Sequence, residues 1–295
     1  MTPPPACGYS PPVARTTSIV IVLLLALPAG AWQEDQRPRQ PSKDTRGLLG
    51  INKDFYDLSA NTGGDFYYWA AGEFATAALT IPTGGEDIVL AYGAVDGSRT
   101  TFEIPVESGA RELAVFCGVQ RKDLALLFHP DGTLARDGAG GVRLQSYQHM
   151  LIAQVIAPAP GVWKLELTGL GMSTVTARVK PAGDRAAPGF DSFELVEMRG
   201  RPGHEGWFPI KRNVKKGETI DCKATLSGSV FGAVFELIAR DGSVIAAVPM
   251  KPVGSDGDYH ARCAIPSSPF RVSVSGRDAA GAPFRRIGPG VRTPD

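Results

Sequence analysis

The stretch Trp163-Lys164-Leu165-Glu166-Leu167-Thr168 alternates apolar and polar side chains without a break. A period of two places Trp163, Leu165 and Leu167 on one face of a half-buried strand and Lys164, Glu166 and Thr168 on the other. Working outward, the same alternation returns in residues 173–179, with Val175, Ala177 and Val179 inward. It recurs through Ile220, Cys222, Ala224 and Leu226, and through Tyr259, Ala261, Cys263 and Ile265. Phe270, Val272 and Val274 repeat it once more. Asp-Gly pairs beginning at Asp96, Asp131, Asp137, Asp241 and Asp256 fall between such runs and signal tight turns. Short strands at this spacing predict an all-β fold of two β-sandwich domains in tandem. An Ala-rich stretch over residues 70–79 supplies a short N-terminal helical segment.

Composition agrees with that reading. The chain has 295 residues, among them 35 glycines and 24 prolines, so turns are abundant and long helices are disfavoured. Charged residues at 21% and hydrophobic residues at 43% fit a globular protein. A formal net charge of +1 lacks the excess of Lys and Arg that nucleic acid binding draws on, so nucleic acid is not expected as a partner.

Residues 19–31, IVIVLLLALPAGA, form one apolar run. A bilayer-spanning helix needs about 20 such residues, so the run is short for an anchor. Arg15 precedes it and Ala29-Gly30-Ala31 supplies an A-x-A cleavage pattern, which together read as a secretory signal peptide over 1–31 with Trp32 as the mature N-terminus. A secreted or periplasmic location follows, with no stable membrane insertion after cleavage. Residues 32–46 are polar and proline-containing and read as a linker. Proline, glycine and charge in residues 180–189 mark a boundary between a sandwich at 83–182 and a second at 188–290.

Local catalytic signatures are missing. His204-Glu205 opens like a zinc-protease motif, but Phe208 stands where the second His belongs. The chain has no G-x-S-x-G elbow, no Walker-type loop and no C-x-x-C pair, and Gly138, Gly140 and Gly141 do not form a dinucleotide fingerprint. Asp57, Ser59 and Asn61 are a near miss for a D-x-S-x-S metal site. The histidines at 129, 149, 204 and 260 are scattered, with His260 on the outward parity of its strand beside Arg262. Lys211, Arg212, Lys215 and Lys216 read as a solvated turn. No catalytic, metal or cofactor residue is therefore assigned. Tyr67, Tyr68 and Trp69, within the aromatic run 66–69, are candidate ligand contacts, split between core and surface in the alternative reading.

The cysteines divide by domain. Cys7 lies in the segment expected to be removed, and Cys117 reads as a buried free thiol of the first sandwich. Cys222 and Cys263 both take the inward parity in the second, where facing strands bring such positions within reach of a disulfide in an oxidising compartment. The alternative is that all three are small buried hydrophobes.

Several segments fall in a familiar order. DFYDLSANTGGDFYYWAAGEFATA resembles the closing strand and helix of a von Willebrand factor type A domain, so residues 47–82 read as a remnant of one. IPVESGARELAVFCGV, LLFHPDGT and APAPGVWKLELTGLGMSTVTARV follow. This succession is similar to the sandwich after the type A domain of hemicentin-like extracellular proteins, its most specific element being Pro158, Pro160, Gly161 and Trp163. IPSSPFRVSVSGRDAAGAPFRRI resembles the closing strands of the immunoglobulin-like domain beyond it. The resemblance covers residues 47–290 and implies an extracellular, galactose-binding-like sandwich followed by an immunoglobulin-like one. The body of the type A domain, with its metal site, is missing. The reading is a secreted, non-catalytic interaction or adhesion protein that binds a protein or glycan partner. An accessory subunit of a separately encoded type A domain protein, or a hydrolase whose residues converge only in the fold, is the alternative.

Overall fold

The computed structural model describes residues 53–62, 64–68, 73, 84–181, 183, 187–288 and 292–295. Over these described residues the protein is all-β, with three antiparallel sheets and one short helix. The segment read as a signal peptide, Trp69 and almost all of the Ala-rich run at 70–79 lie outside the described residues.

The first sheet contains β1 (Glu86–Asp96), β2 (Thr100–Val106), β3 (Glu112–Phe128), β4 (Val142–Ser146), β5 (Met150–Ile156) and β6 (Gly161–Lys180). Its order is β1-β6-β3-β5-β4, with β2 also paired to β6. The two longest strands serve two layers. Residues 170–180 of β6 lie between β1 and the first half of β3, whereas residues 161–168 lie between β2 and the second half of β3. The crossover from one layer to the other is written in T-G-L-G-M, residues 168–172. A Cβ at Gly169 would sit 2.5 Å from the Arg121 carbonyl oxygen, and Gly171 has φ +94°. Register breaks between Val119 and Arg121 and between Lys122 and Leu124 bend β3 at the same level. The sheet thereby folds over a core of Leu113, Val115, Trp163, Leu165, Leu167 and Val175. Trp163 is fully buried and its indole N–H donates to the Ala159 carbonyl at 2.9 Å. Gly161, at φ +132°, lets Pro130 approach where a Cβ would meet it at 2.8 Å.

The larger layer is buried on its other face as well. Leu90, Tyr92, Ala114, Phe116, Met150 and Ile152 point outward from the sandwich core and are covered by helix α1 (Lys53–Thr62) and the run Phe66-Tyr67-Tyr68. In α1, Tyr56 and Ala60 are four apart and share the buried face. The helix ends where Gly64 N–H reaches back to the Ser59 carbonyl at 3.0 Å, the six-to-one bond of a Schellman motif. Residues read as a type A remnant thus form the outer cover of the first sandwich. Their helix lies at 53–62, before the glycines, where low-propensity Asp, Ser, Asn and Thr and the exposed Phe55 and Leu58 obscure its period.

The second sandwich pairs a sheet ordered β12-β13-β9-β7-β8 with one ordered β11-β10-β14-β15. The strands are β7 (Gly189–Arg199), β8 (Gly206–Pro209), β9 (Thr219–Ser227), β10 (Phe231–Ile238), β11 (Val244–Val248), β12 (Lys251–Val253), β13 (Asp258–Ala264), β14 (Arg271–Arg277) and β15 (Pro283–Ile287). With β7, β9, β13 and β12 in the places of strands A, B, E and D, and β10, β14 and β15 in those of C, F and G, this is the immunoglobulin order. Phe190, Cys222, Phe235, Phe270, Val274 and Phe284 fill its core.

The two sandwiches meet through β15, which lies against β1 and β2. Arg286, 1% exposed, is held by Glu86 at 2.5 Å and by Glu107, 0% exposed, at 2.5 and 3.2 Å. It also donates to the carbonyls of Pro188 at 2.9 Å and Arg285 at 2.8 Å. The helix joins the same contact: Arg240 pairs with Asp57 at 2.7 Å, and buried Arg271 donates to the Ala60 carbonyl at 2.6 Å.

Candidate binding face

The structure buries Tyr67 and Tyr68 against the outer layer of the first sheet, which removes both from the surface. The Tyr67 hydroxyl donates to Asp65 at 3.0 Å, and Asp65 together with Asp87 neutralises Arg178, a residue of the same sheet face. These aromatics pack because the sheet face beneath them is itself apolar, so the run 66–68 is a cover and presents no contact plate. Trp69 lies outside the described residues. Asp57, Ser59 and Asn61 follow one another along α1 at steps of two, which turns Ser59 away from the others. The Asp57 carboxylate is taken by Lys53 at 2.5 Å and Arg240 at 2.7 Å.

The two inward cysteines of the second sandwich are neighbours, but within one sheet. Cys222 pairs with Ala261 and Cys263 with Ile220, so the two thiols sit diagonally across β9 and β13. An immunoglobulin bridge joins strands B and F across the sheets, whereas Cys263 is on the E strand. All three described cysteines are free and buried. Diagonal neighbours stand about 7–8 Å apart, just beyond the reach of a disulfide without backbone movement. The Cys222 thiol donates to the Ala261 carbonyl at 3.5 Å, and the neighbouring Cys263 thiol and burial raise its pKa. Burial pushes the Cys117 thiol up to about 12.

Exposed aromatic and polar groups come together on the outer face of the β7–β8–β9–β13 sheet. The edge strand β8 is Gly-Trp-Phe-Pro and pairs Trp207 with Met198 and Pro209 with Val196. Trp207 is 41% exposed and its ring lies 4.4 Å from that of His260. Buried Val196 is on the same face, opposite Asp221. His260 Nε2 is 3.7 Å from Asp221 Oδ1, beyond hydrogen-bond length, and has no hydrogen-bond partner among the described residues. Arg262 Nε is 3.8 Å from the same oxygen. Met198, half-exposed, lies opposite the indole on the same face, whereas Phe208 takes the other parity of β8. A groove of about 380 Å³ begins beside this plate, lined by Glu194, Pro209, Ile210, Arg212 and Arg292 among others.

The geometry combines an exposed indole with an imidazole, a carboxylate and a guanidinium on one sheet face. It can stack on a planar or ring-shaped surface and exchange hydrogen bonds at its rim. Sequence reading had placed His260 and Arg262 outward but had not singled out Trp207, Met198 or Asp221. The available signal was residues 206–209, two large aromatics between Gly and Pro with no alternation. Arg212, from the basic cluster, is committed to Glu218, whose carboxyl is held at about 2 by hydrogen bonds from that guanidinium and from the Lys215 backbone N–H. Among the described residues no three His, Cys, Asp or Glu side chains are placed to hold a metal ion, and no helix is long and apolar enough to cross a membrane.

The sequence matches no protein-family description and no curated protein. Among solved structures it is similar to a Bacillus licheniformis lipase, BlEst2, in propeptide form, at 12% identity and a TM-score of 0.26. That match covers 73% of this chain and 48% of the lipase, so the chain spans about half the length of that protein. A chimeric titin Z1Z2 is similar at 14% identity and a TM-score of 0.22, covering 70% of this chain and 97% of that one. Titin domains Z1Z2 in complex with telethonin give 15% identity and a TM-score of 0.22 over 72% of this chain and 100% of theirs. At TM-scores this low, none of these likenesses bears on what the chain does.

Proposed function

We propose that the chain is an exported, non-catalytic interaction module that binds a macromolecular partner through the Trp207 face. The observation that carries this reading is the exposed indole of Trp207 set against the tilted ring of His260, with Asp221 and Arg262 beside it. Tryptophan and arginine dominate the energetics of protein interfaces, and Met198 extends the apolar patch beside the indole. A protein partner fits this surface best. A glycan is the second reading, favoured by Asp221, His260 and Arg262 beside a flat ring. The apolar run with its A-x-A site, and the resemblance of residues 47–290 to hemicentin-like extracellular proteins, support a role outside the cytoplasm.

The test pairs an affinity capture from extracytoplasmic extracts with a glycan array, using the full chain and Trp207→Ala. Trp207 is exposed and outside both cores, so the variant keeps its fold. Loss of the captured protein or arrayed glycan in the variant supports the face. Equal binding by both chains, or no binding by either, overturns it.

A further inference from the structure

The edges of the three sheets are protected unequally. β8 has four residues and ends in Pro209; β12 has three and contains Lys251 and Pro252. β4 carries Arg143, and β2 carries Glu103 and Pro105. β15, one edge of the four-stranded sheet, is covered by the first sandwich. Short strands, proline, charge and a covering domain are the means by which proteins blunt edges. The other edge of that sheet is β11, Val244-Ile245-Ala246-Ala247-Val248, which has no proline and no charge. Val244 is 53% exposed, Ile245 37%, and Ala246 and Ala247 are exposed too. β11 pairs with β10 alone, so its outer row of backbone groups has no strand partner among the described residues. Two blunting devices are present, a register break that inserts Ile245 and Pro249 directly after the strand, and they leave Ala246 to Val248 in regular pairing with β10.

We propose that β11 is the docking edge for a second copy of this chain, joining two four-stranded sheets into one of eight strands across a twofold axis. A twofold contact requires a surface complementary to itself. The five residues meet that condition in an antiparallel arrangement centred on Ala246, which sets Val244 against Val248 of the other copy and Ile245 against Ala247. Small side chains at the centre allow the two strands to approach, and no like charges oppose each other within the paired segment. The ends complement each other as well. Asp241, in the turn before the strand, accepts from the Ser243 N–H and hydroxyl, and Lys251 opens β12 beyond the other end, so an antiparallel copy brings its basic end toward the acidic end of the other. Lys251 forms no ion pair among the described residues. This edge is on the opposite side of the second sandwich from β8, so a dimer leaves the Trp207 face free and presents it twice.

Sedimentation velocity on the full chain over a range of concentrations reads the association directly. The expected result is a monomer–dimer equilibrium that weakens as salt is raised, because the end charges are exposed. Ala247→Lys and, separately, Ile245→Lys place a charge on the exposed edge and are expected to leave a monomer with an unchanged melting transition. Hydrogen exchange on the unmodified chain supplies a readout independent of any variant: the amides of β11 should exchange more slowly as concentration rises. A chain that is monomeric at every concentration overturns the proposal. So does a dimer that persists in both variants while β11 exchange is insensitive to concentration.

Discussion

Replacing Arg286 by Met tests whether the joint between the sandwiches is held by charge. The guanidinium makes five hydrogen bonds, and three of them go to Glu86 and Glu107. Glu86 is a quarter exposed and can return to water, but Glu107 has no exposed surface and would be left as a buried carboxylate without a counter-ion. Breaking a buried pair from one side costs about 3–5 kcal/mol. At about 2–4 °C per kcal/mol for a chain of this size, the melting temperature should fall by roughly 6–20 °C. Substituting the partner as well, in Arg286→Met with Glu107→Leu, removes the stranded charge and should restore most of the loss, since apolar replacement of buried pairs is often neutral or stabilising. Urea unfolding followed by fluorescence suits the assay, because Trp163 reports on the first sandwich and Trp207 on the second. In the single variant the two sandwiches should begin to unfold separately. A single variant within about 1 kcal/mol of the parent, or a double variant no more stable than the single, would refute the argument: the joint would then rest on packing.

Trp163→Ala should cost about 3–5 kcal/mol, as for a fully buried aromatic truncated to a methyl, and an unchanged thermal transition would contradict its place in the core. The Glu218 carboxyl should titrate near pH 2 by NMR and return toward the ordinary glutamate range in Arg212→Ala. Its folded pKa is below the unfolded value, so its contribution to stability is complete above the unfolded pKa and is lost as the pH falls toward 2; an ordinary midpoint in the parent chain would contradict the Arg212 contact. Cys117, with its thiol pushed up to about 12, should resist alkylation at neutral pH until the protein unfolds. Peptide mapping without reductant should recover Cys222 and Cys263 unlinked, whereas a recovered Cys222–Cys263 peptide would mean that β9 and β13 approach more closely than their diagonal pairing implies.

Alternation made the strands legible. In Trp163, Leu165 and Leu167, and again in Ile220, Cys222, Ala224 and Leu226, parity alone separates core from surface, and the structure buries each of these residues. The five Asp-Gly pairs are all turns with Gly at positive φ. Parity was silent where a strand is buried on both faces: Leu90 and Tyr92 look outward from one core only to enter a second. Hence Tyr67 and Tyr68, which belong to the cover, read as candidate ligand contacts. Parity also gives the side of a sheet but not which strands are neighbours, and so Cys222 and Cys263 seemed able to face each other across the sandwich. The Trp207 face draws on four strands, β7, β8, β9 and β13, and no short window of sequence contains it.

The double covering of the first sheet bears on where the chain can be shortened. A truncation that starts at residue 84 would retain every strand of both sandwiches, and by strand count it would seem complete. It would also uncover Leu90, Tyr92, Phe116, Met150 and Ile152 as one continuous apolar surface, and leave Arg178 without Asp65 and Arg271 without the Ala60 carbonyl. Such a fragment should self-associate nonspecifically and melt early, although no hydrogen bond of its β-ladders had been removed. The smallest well-behaved unit is therefore fixed by what lies over the sheet, and it begins no later than Lys53.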